Sequence, residues 1–170
     1  MSSRPAYDLS TISATIITTS NRTVAKQKED KAAPQCVARL TDAGLGHVRT
    51  VVVAEERRAL DMTLRQALIL GDRLVLILGG SGFGVANEAP EVVRSVIDVE
   101  IPGIAERIRA HGAEHTALSP LSREVVGVTA RDSRGALVVA SPGSAGGASD
   151  TLDVLIPLLD PIFSQLDERR

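Results

Sequence analysis

The sequence has no tryptophan, one tyrosine, two phenylalanines and a single cysteine among its 170 residues. One thiol, Cys36, can form no internal disulfide and no multi-cysteine metal site. An aromatic content of 2% is too low for a stacking platform that would hold single-stranded nucleic acid. Excess charge is missing too: the formal net charge is −2, without the basic face that a phosphate backbone demands. No apolar run approaches the roughly 20 residues that span a bilayer, and a run such as "LVLIL" (Leu74–Leu78) is strand-sized. The opening "MSSRPAYDLS" is polar and lacks the apolar segment of a secretory signal. A cytoplasmic protein is therefore expected, with neither nucleic acid nor membrane as a partner.

What is present is ordinary globular composition, 44% hydrophobic and 24% charged, in a chain of single-domain length. Residues 1–10 read as a flexible arm and residues 11–170 as one α/β domain. Thr11–Ser20 is β-branched and strand-like, and "NRTVAKQKED" after it reads as a long polar loop. Asp30 is placed as a helix N-cap with Pro34 in the first turn; Ala33, Val37 and Leu40 share a face, and Gly44 closes the helix. A second strand covers His47–Ala54. Leu60, Leu64, Ala67 and Leu68 then recur at helical spacing up to Gly71, and "RLVLILGG" is a third strand, unbroken in hydrophobicity as strands covered on both faces are. Further helices are expected over Pro90–Val99 and Gly103–His111. A hairpin is expected from "VVGVTA" and "ALVVAS", and a closing helix interrupted at Pro157. Strands alternating with helices mean βαβ units and a three-layer α/β sandwich around a mostly parallel sheet.

Two glycine loops fall at the carboxyl ends of strands, where open α/β sheets collect ligands: Gly79-Gly80-Ser81-Gly82-Phe83-Gly84 and Pro142-Gly143-Ser144-Ala145-Gly146-Gly147. Glycines let backbone N–H groups approach an anion, and a following helix start adds partial positive charge. No Lys-Ser/Thr follows the glycines as in a P-loop, and the spacing of a dinucleotide-binding fold is not met. The histidines His47, His111 and His115 are scattered and show no metal constellation, and Cys36 reads as a buried small hydrophobe.

Taken in order, these stretches carry a resemblance. "GGSGFGVANEAPEVV" resembles the GGTG…RD-x-TPE signature of the MoaB/Mog family, the molybdopterin adenylyltransferases of molybdenum-cofactor biosynthesis. The similarity continues through "VEIPGIAERIR", "LSREVVG" and "SPGSAGG" into the last helix, and upstream through "TTSNRT…EDKAAP". The resemblance implies the fold of that family, molybdopterin bound at the strand ends, and assembly as a homotrimer or a dimer of trimers. It also implies transfer of AMP from ATP, with Mg2+, to the terminal phosphate of molybdopterin.

On the resemblance, substrate binding falls to Ser20, Asn21, Gly79, Gly80, Ser81, Gly82, Glu91, Ser122, Arg123, Pro142, Gly143, Ser144 and Gly147. The catalytic positions fall on Glu55, Asp30 and Asn87. Metal ligands are not assigned. The chain departs from the family at the acids. Asn87 and Asn21 stand where the family has aspartates, Ala86 where it has arginine, and Glu55 where a shorter carboxylate is usual; a family glycine falls on Lys26. An amide keeps the shape of a carboxylate but neither acts as a base nor suits Mg2+. Two functional expectations follow: an adenylylating enzyme with Glu55 and Asp30 on the metal side, or a catalytically silent member that binds pterin or nucleotide as carrier, regulator or scaffold.

Overall fold

A computed structural model describes residues 5–168. Six strands form one sheet in the order β2-β1-β3-β6-β5-β4. They are β1 (Ser13–Thr19), β2 (His47–Val53), β3 (Leu74–Leu78), β4 (Val99–Glu100), β5 (Val125–Val128) and β6 (Leu137–Ser141). The pairs β2–β1, β1–β3 and β3–β6 are parallel, while β5 and β4 run antiparallel at one edge. The helices are α1 (Asn21–Val24), α2 (Ala32–Asp42), α3 (Arg57–Ile69), α4 (Ala89–Arg94), α5 (Pro102–Ala113) and α6 (Ala145–Leu166).

The period-2 alternation of β3 sorts its side chains between two cores. Leu74, Leu76 and Leu78 pack with residues of α2, α5 and α6, whereas Val75 and Ile77 face Leu60, Leu64, Val92 and Val93 of α3 and α4. This is the expected three-layer α/β sandwich with a mostly parallel sheet. All five β3 side chains are buried, which explains the uninterrupted hydrophobic run. Among the described residues no helix is long and apolar enough to cross a membrane.

Four expectations need correction. The closing helix is not interrupted at Pro157: α6 runs through both Pro157 and Pro161. Both prolines lie on its exposed face, so the carbonyls they release can reach water, while Leu152, Leu155, Leu159 and Phe163 stay fully buried on the other. The helix expected over Pro90–Val99 stops at Arg94, because Asp98 N–H and the Val99–Glu100 pair are drawn into the sheet by β5. The polar loop after β1 contains the one-turn helix α1, capped by Ser20 Oγ, which accepts from Thr23 N–H. Of the ten-residue arm, residues 1–4 lie outside the described residues. Tyr7 is docked: its N–H donates to Asp160, its hydroxyl to Asp167, and its ring meets Phe163 at 5.9 Å.

Candidate functional site

The site is assembled at the carboxyl ends of β1, β3 and β6, which are neighbours in the sheet. Because β3 and β6 run parallel, the loops leaving them emerge side by side. Gly79 N–H donates to Ser141 O, and a Cβ on Gly143 would lie 2.9 Å from Gly79 Cα. Gly79 and Gly80 have φ of +100° and +68°, a left-handed conformation that a side chain would strain. The β6 loop ends at Ser144, whose Oγ accepts from Gly147 N–H as the N-cap of α6. The first turn of α6 therefore presents its unpaired N–H groups at the loop pair, with the dipole of a 22-residue helix behind them.

Two cavities flank this junction. The first, about 740 Å3, is lined by Ser20, Asp30, Glu55, Gly79, Gly80 and Gly143, together with Lys28, Glu29 and Lys31. The second, about 590 Å3, is lined by Ser81, Gly82, Ser122, Pro142 and Gly147, with Arg109, Glu124 and Asp150 against the apolar Ile108, Leu118 and Leu121. Ser144 is common to both.

Asp30 does two things at once. It caps α2 by accepting from Ala33 N–H at 3.0 Å and accepts from Thr18 Oγ1 at 2.7 Å, while lining the first cavity. Glu55 is exposed, and its N–H donates to Asn21 Oδ1 at 2.9 Å, which locks the turn after β1 to the turn after β2.

Four of the expected site residues line neither cavity: Asn21, Asn87, Glu91 and Arg123. They build the walls instead. Asn87 Oδ1 accepts from Gly84 N–H at 2.9 Å and closes the tip of the loop. Arg123, expected on the phosphate, spends its guanidinium inside the protein. It donates to Gly82 O and Asn87 O and forms a two-pronged pair with Glu91, at 2.5 and 3.3 Å. That pair holds the Glu91 carboxyl below its usual range, and Arg123 keeps its charge more firmly in return. The glycine loop is thus pinned at both ends by one arginine, while its tip projects Phe83 and Val85 into solvent. Glu88, the carboxylate beside Asn87, pairs with Arg57 at 3.0 Å.

No local sequence pattern signals the second cavity's interior. Glu124 is 4% exposed, and burial pushes its carboxyl up to about 8, with the Asp150 charge adding to the rise; the Thr151 hydroxyl and Arg109 oppose it. Its Oε1 is 2.9 Å from Thr151 Oγ1, which is 2.9 Å from Ser141 Oγ, which in turn donates to Pro142 O. Thr151 Oγ1 donates to Glu124 Oε1, which is why the hydroxyl opposes the rise, and the buried carboxyl ends this chain of hydroxyls.

Comparison with known proteins places the arrangement. A family model described as "Probable molybdopterin binding domain" matches residues 15–161. The chain is 33% identical over 155 residues to a molybdenum cofactor biosynthesis bifunctional protein of Synechococcus elongatus, covering 91% of this chain and 47% of that protein. It is 30% identical to molybdenum cofactor biosynthesis protein B of Escherichia coli, over 85% of this chain and 84% of that one. The chain spans about half the length of the bifunctional relatives it matches. Among solved structures, the molybdopterin biosynthesis Mog protein of Mycobacterium ulcerans superposes with a TM-score of 0.82 at 32% identity, covering 91% of this chain and 96% of that one. The tungsten cofactor synthesizing protein MoaB of Pyrococcus furiosus, at 23% identity and a TM-score of 0.85 over 92% of this chain and 98% of that one, shares the fold.

Proposed function

Since the chain belongs to the molybdopterin-binding family of molybdenum-cofactor biosynthesis proteins, we propose that it adenylylates molybdopterin with ATP at the junction of its two cavities. The observation that carries the reading is Ser144, at the head of α6, which lines both cavities and so marks where two ligands would meet. The first cavity carries the phosphate chemistry, with glycine N–H groups, lysines and three carboxylates. The second offers apolar walls and buried polar groups suited to a flat heterocycle.

In the reaction, an oxygen of molybdopterin's terminal phosphate attacks the α-phosphorus of ATP. The bond from that phosphorus to the bridging oxygen breaks, and pyrophosphate leaves with the charge. The protein's part is positioning and electrostatics. The first turn of α6 and the Gly79–Gly80 backbone hold phosphate oxygens, and Lys28 and Lys31 offset their charge. A Mg2+ ion bound with the nucleotide would neutralise charge developing on the leaving group. Glu55 and Asp30 fit such an ion: Mg2+ needs only one or two carboxylates besides phosphate and water, and the two residues line one cavity. Asn21 and Asn87 are not needed for it, because neither lines the first cavity. We read the protein further as a homotrimer; β2 lies at the sheet edge with Val51 and Val52 exposed, a surface a second copy could cover.

The test compares steady-state turnover of wild type, Glu55→Gln and Asn87→Asp with Mg-ATP and molybdopterin. Glu55→Gln is expected to lower turnover while molybdopterin affinity, from a separate titration, stays unchanged. Asn87→Asp keeps the acceptor for Gly84 N–H and is expected to change turnover less. A Glu55→Gln protein as fast as wild type would remove the metal role from that residue.

A further inference from the structure

The fold brings together two histidines that look scattered in the sequence. His111 stands in the last turn of α5, His115 just beyond it, and Asp150 near the start of α6. One ring nitrogen from each histidine and one Asp150 carboxylate oxygen all lie within 4.8 Å of one another. His115 Nδ1 is 2.8 Å from Asp150 Oδ1, and His111 Nε2 is 3.9 Å from the same oxygen. Ligand atoms around a tetrahedral ion with bonds of about 2.0–2.1 Å stand roughly 3.4 Å apart. The two separations from Asp150 bracket that value, and the histidine nitrogens, within 4.8 Å of each other, would close by up to about 1.4 Å through side-chain rotation to seat an ion.

Two further observations favour a ligand here over a plain pair of ion pairs. Glu124, on the wall of the same cavity, is 4% exposed, and its Oε2 has no hydrogen-bond partner among the described residues. A buried oxygen left in that state is what an ion's bound water would satisfy. Asp153, which takes a bond from His111 Nε2 at 2.9 Å, is paired independently with Arg39 at 2.8 Å. It would not be stranded if that nitrogen turned to an ion.

We propose that His111, His115 and Asp150 bind a divalent transition-metal ion of the Zn2+ class, tying the end of α5 to the start of α6 beside the second cavity. Two imidazole nitrogens and one carboxylate suit Zn2+, Co2+, Ni2+ or Cu2+, whereas Mg2+ takes oxygen ligands, so the site is distinct from any ion that accompanies a nucleotide. Three protein ligands leave one tetrahedral position open, and His115 and Asp150 both line the cavity to which it would be presented.

The experiment uses the full chain without a histidine tag, stripped with chelator and titrated with Co2+, then Zn2+. Visible absorption, calorimetry and thermal denaturation are the readouts. One equivalent of Co2+ should give the intense d–d bands of a tetrahedral site, bleached by Zn2+. Free Zn2+ at 100 times its Kd should raise Tm by about 5–10 °C, and Mg2+ should leave it unchanged. His115→Ala, at a half-exposed side chain, and Asp150→Asn should each weaken binding by about tenfold or more, while His47→Ala, on β2, should not. A wild-type protein without saturable Co2+ bands, or bands that persist in the double variant His111→Ala/His115→Ala, would overturn the proposal. Circular dichroism of the metal-free variants separates a lost ligand from a lost fold.

Discussion

Substituting Glu124 by glutamine should stabilise the protein above neutral pH, and the size of the effect follows from where the carboxyl sits. Its ordinary value of 4.5 is raised to about 8, chiefly because burial disfavours the charged form. The unfolded chain loses the proton near pH 4.5, whereas the folded chain keeps it until about pH 8. Below the lower value both states are protonated and this group leaves stability untouched. Between the two, the unfolded state gains by ionising, and each pH step costs the folded state about 1.4 kcal/mol. The loss saturates above the folded value at about 4–5 kcal/mol, a large share of a domain's net stability. Glutamine preserves the shape of the neutral acid: its amide oxygen accepts from Thr151 Oγ1 as Oε1 does, and its NH2 group takes the place of Oε2. The assay is urea denaturation of both proteins at pH 5, 7 and 9 with chelator present, read as the difference between them so that other titrating groups cancel. The variant's advantage should grow by several kcal/mol from pH 5 to pH 9. Parallel curves for the two proteins would refute the assignment of a buried, neutral Glu124.

Arg123→Lys should loosen the first glycine loop even though the charge is kept, since an ammonium cannot serve Gly82 O, Asn87 O and Glu91 together. Loss of one charge-assisted bond corresponds to about tenfold more opening, measured as faster chymotryptic cleavage after the exposed Phe83. Gly143→Ala drives a Cβ to 2.9 Å from Gly79 Cα, backbone against backbone, and should destabilise by about 1–3 kcal/mol in urea melts while weakening both ligands. Lys26 has φ +55°, left-handed for a residue with a side chain, so Lys26→Gly should be neutral to stabilising by up to about 1 kcal/mol. A clear loss of stability there would show that the lysine side chain makes a contact that outweighs the backbone strain.

Periodicity made the architecture legible because each main element answers to one local rule. The buried run of β3, the helical spacing of Leu60, Leu64 and Ala67, and the β5–β6 pair around "RDSRG" are all visible without tertiary knowledge. What escaped depends on distant partners. Val99 and Glu100 leave the helical register only because β5 offers a ladder, and Pro157 stays in α6 only because the opposite face is buried. The same division runs through the site. The two glycine loops and Asp30 could be placed from the chain itself. That Arg123 is spent on Glu91, 32 residues away, could not. Nor could the burial of Glu124, which directly follows Arg123, or the meeting of His111 and His115 with Asp150 from another helix. Side-chain type announces chemistry, but whether the group faces ligand or wall is decided by packing.

The most direct test of the central claim is one reaction: tag-free protein with molybdopterin and Mg-ATP, the products resolved by mass spectrometry. The account predicts adenylylated molybdopterin and pyrophosphate in equal amounts, well above a protein-free control. Molybdopterin recovered unchanged, by a protein that binds both substrates, would contradict it.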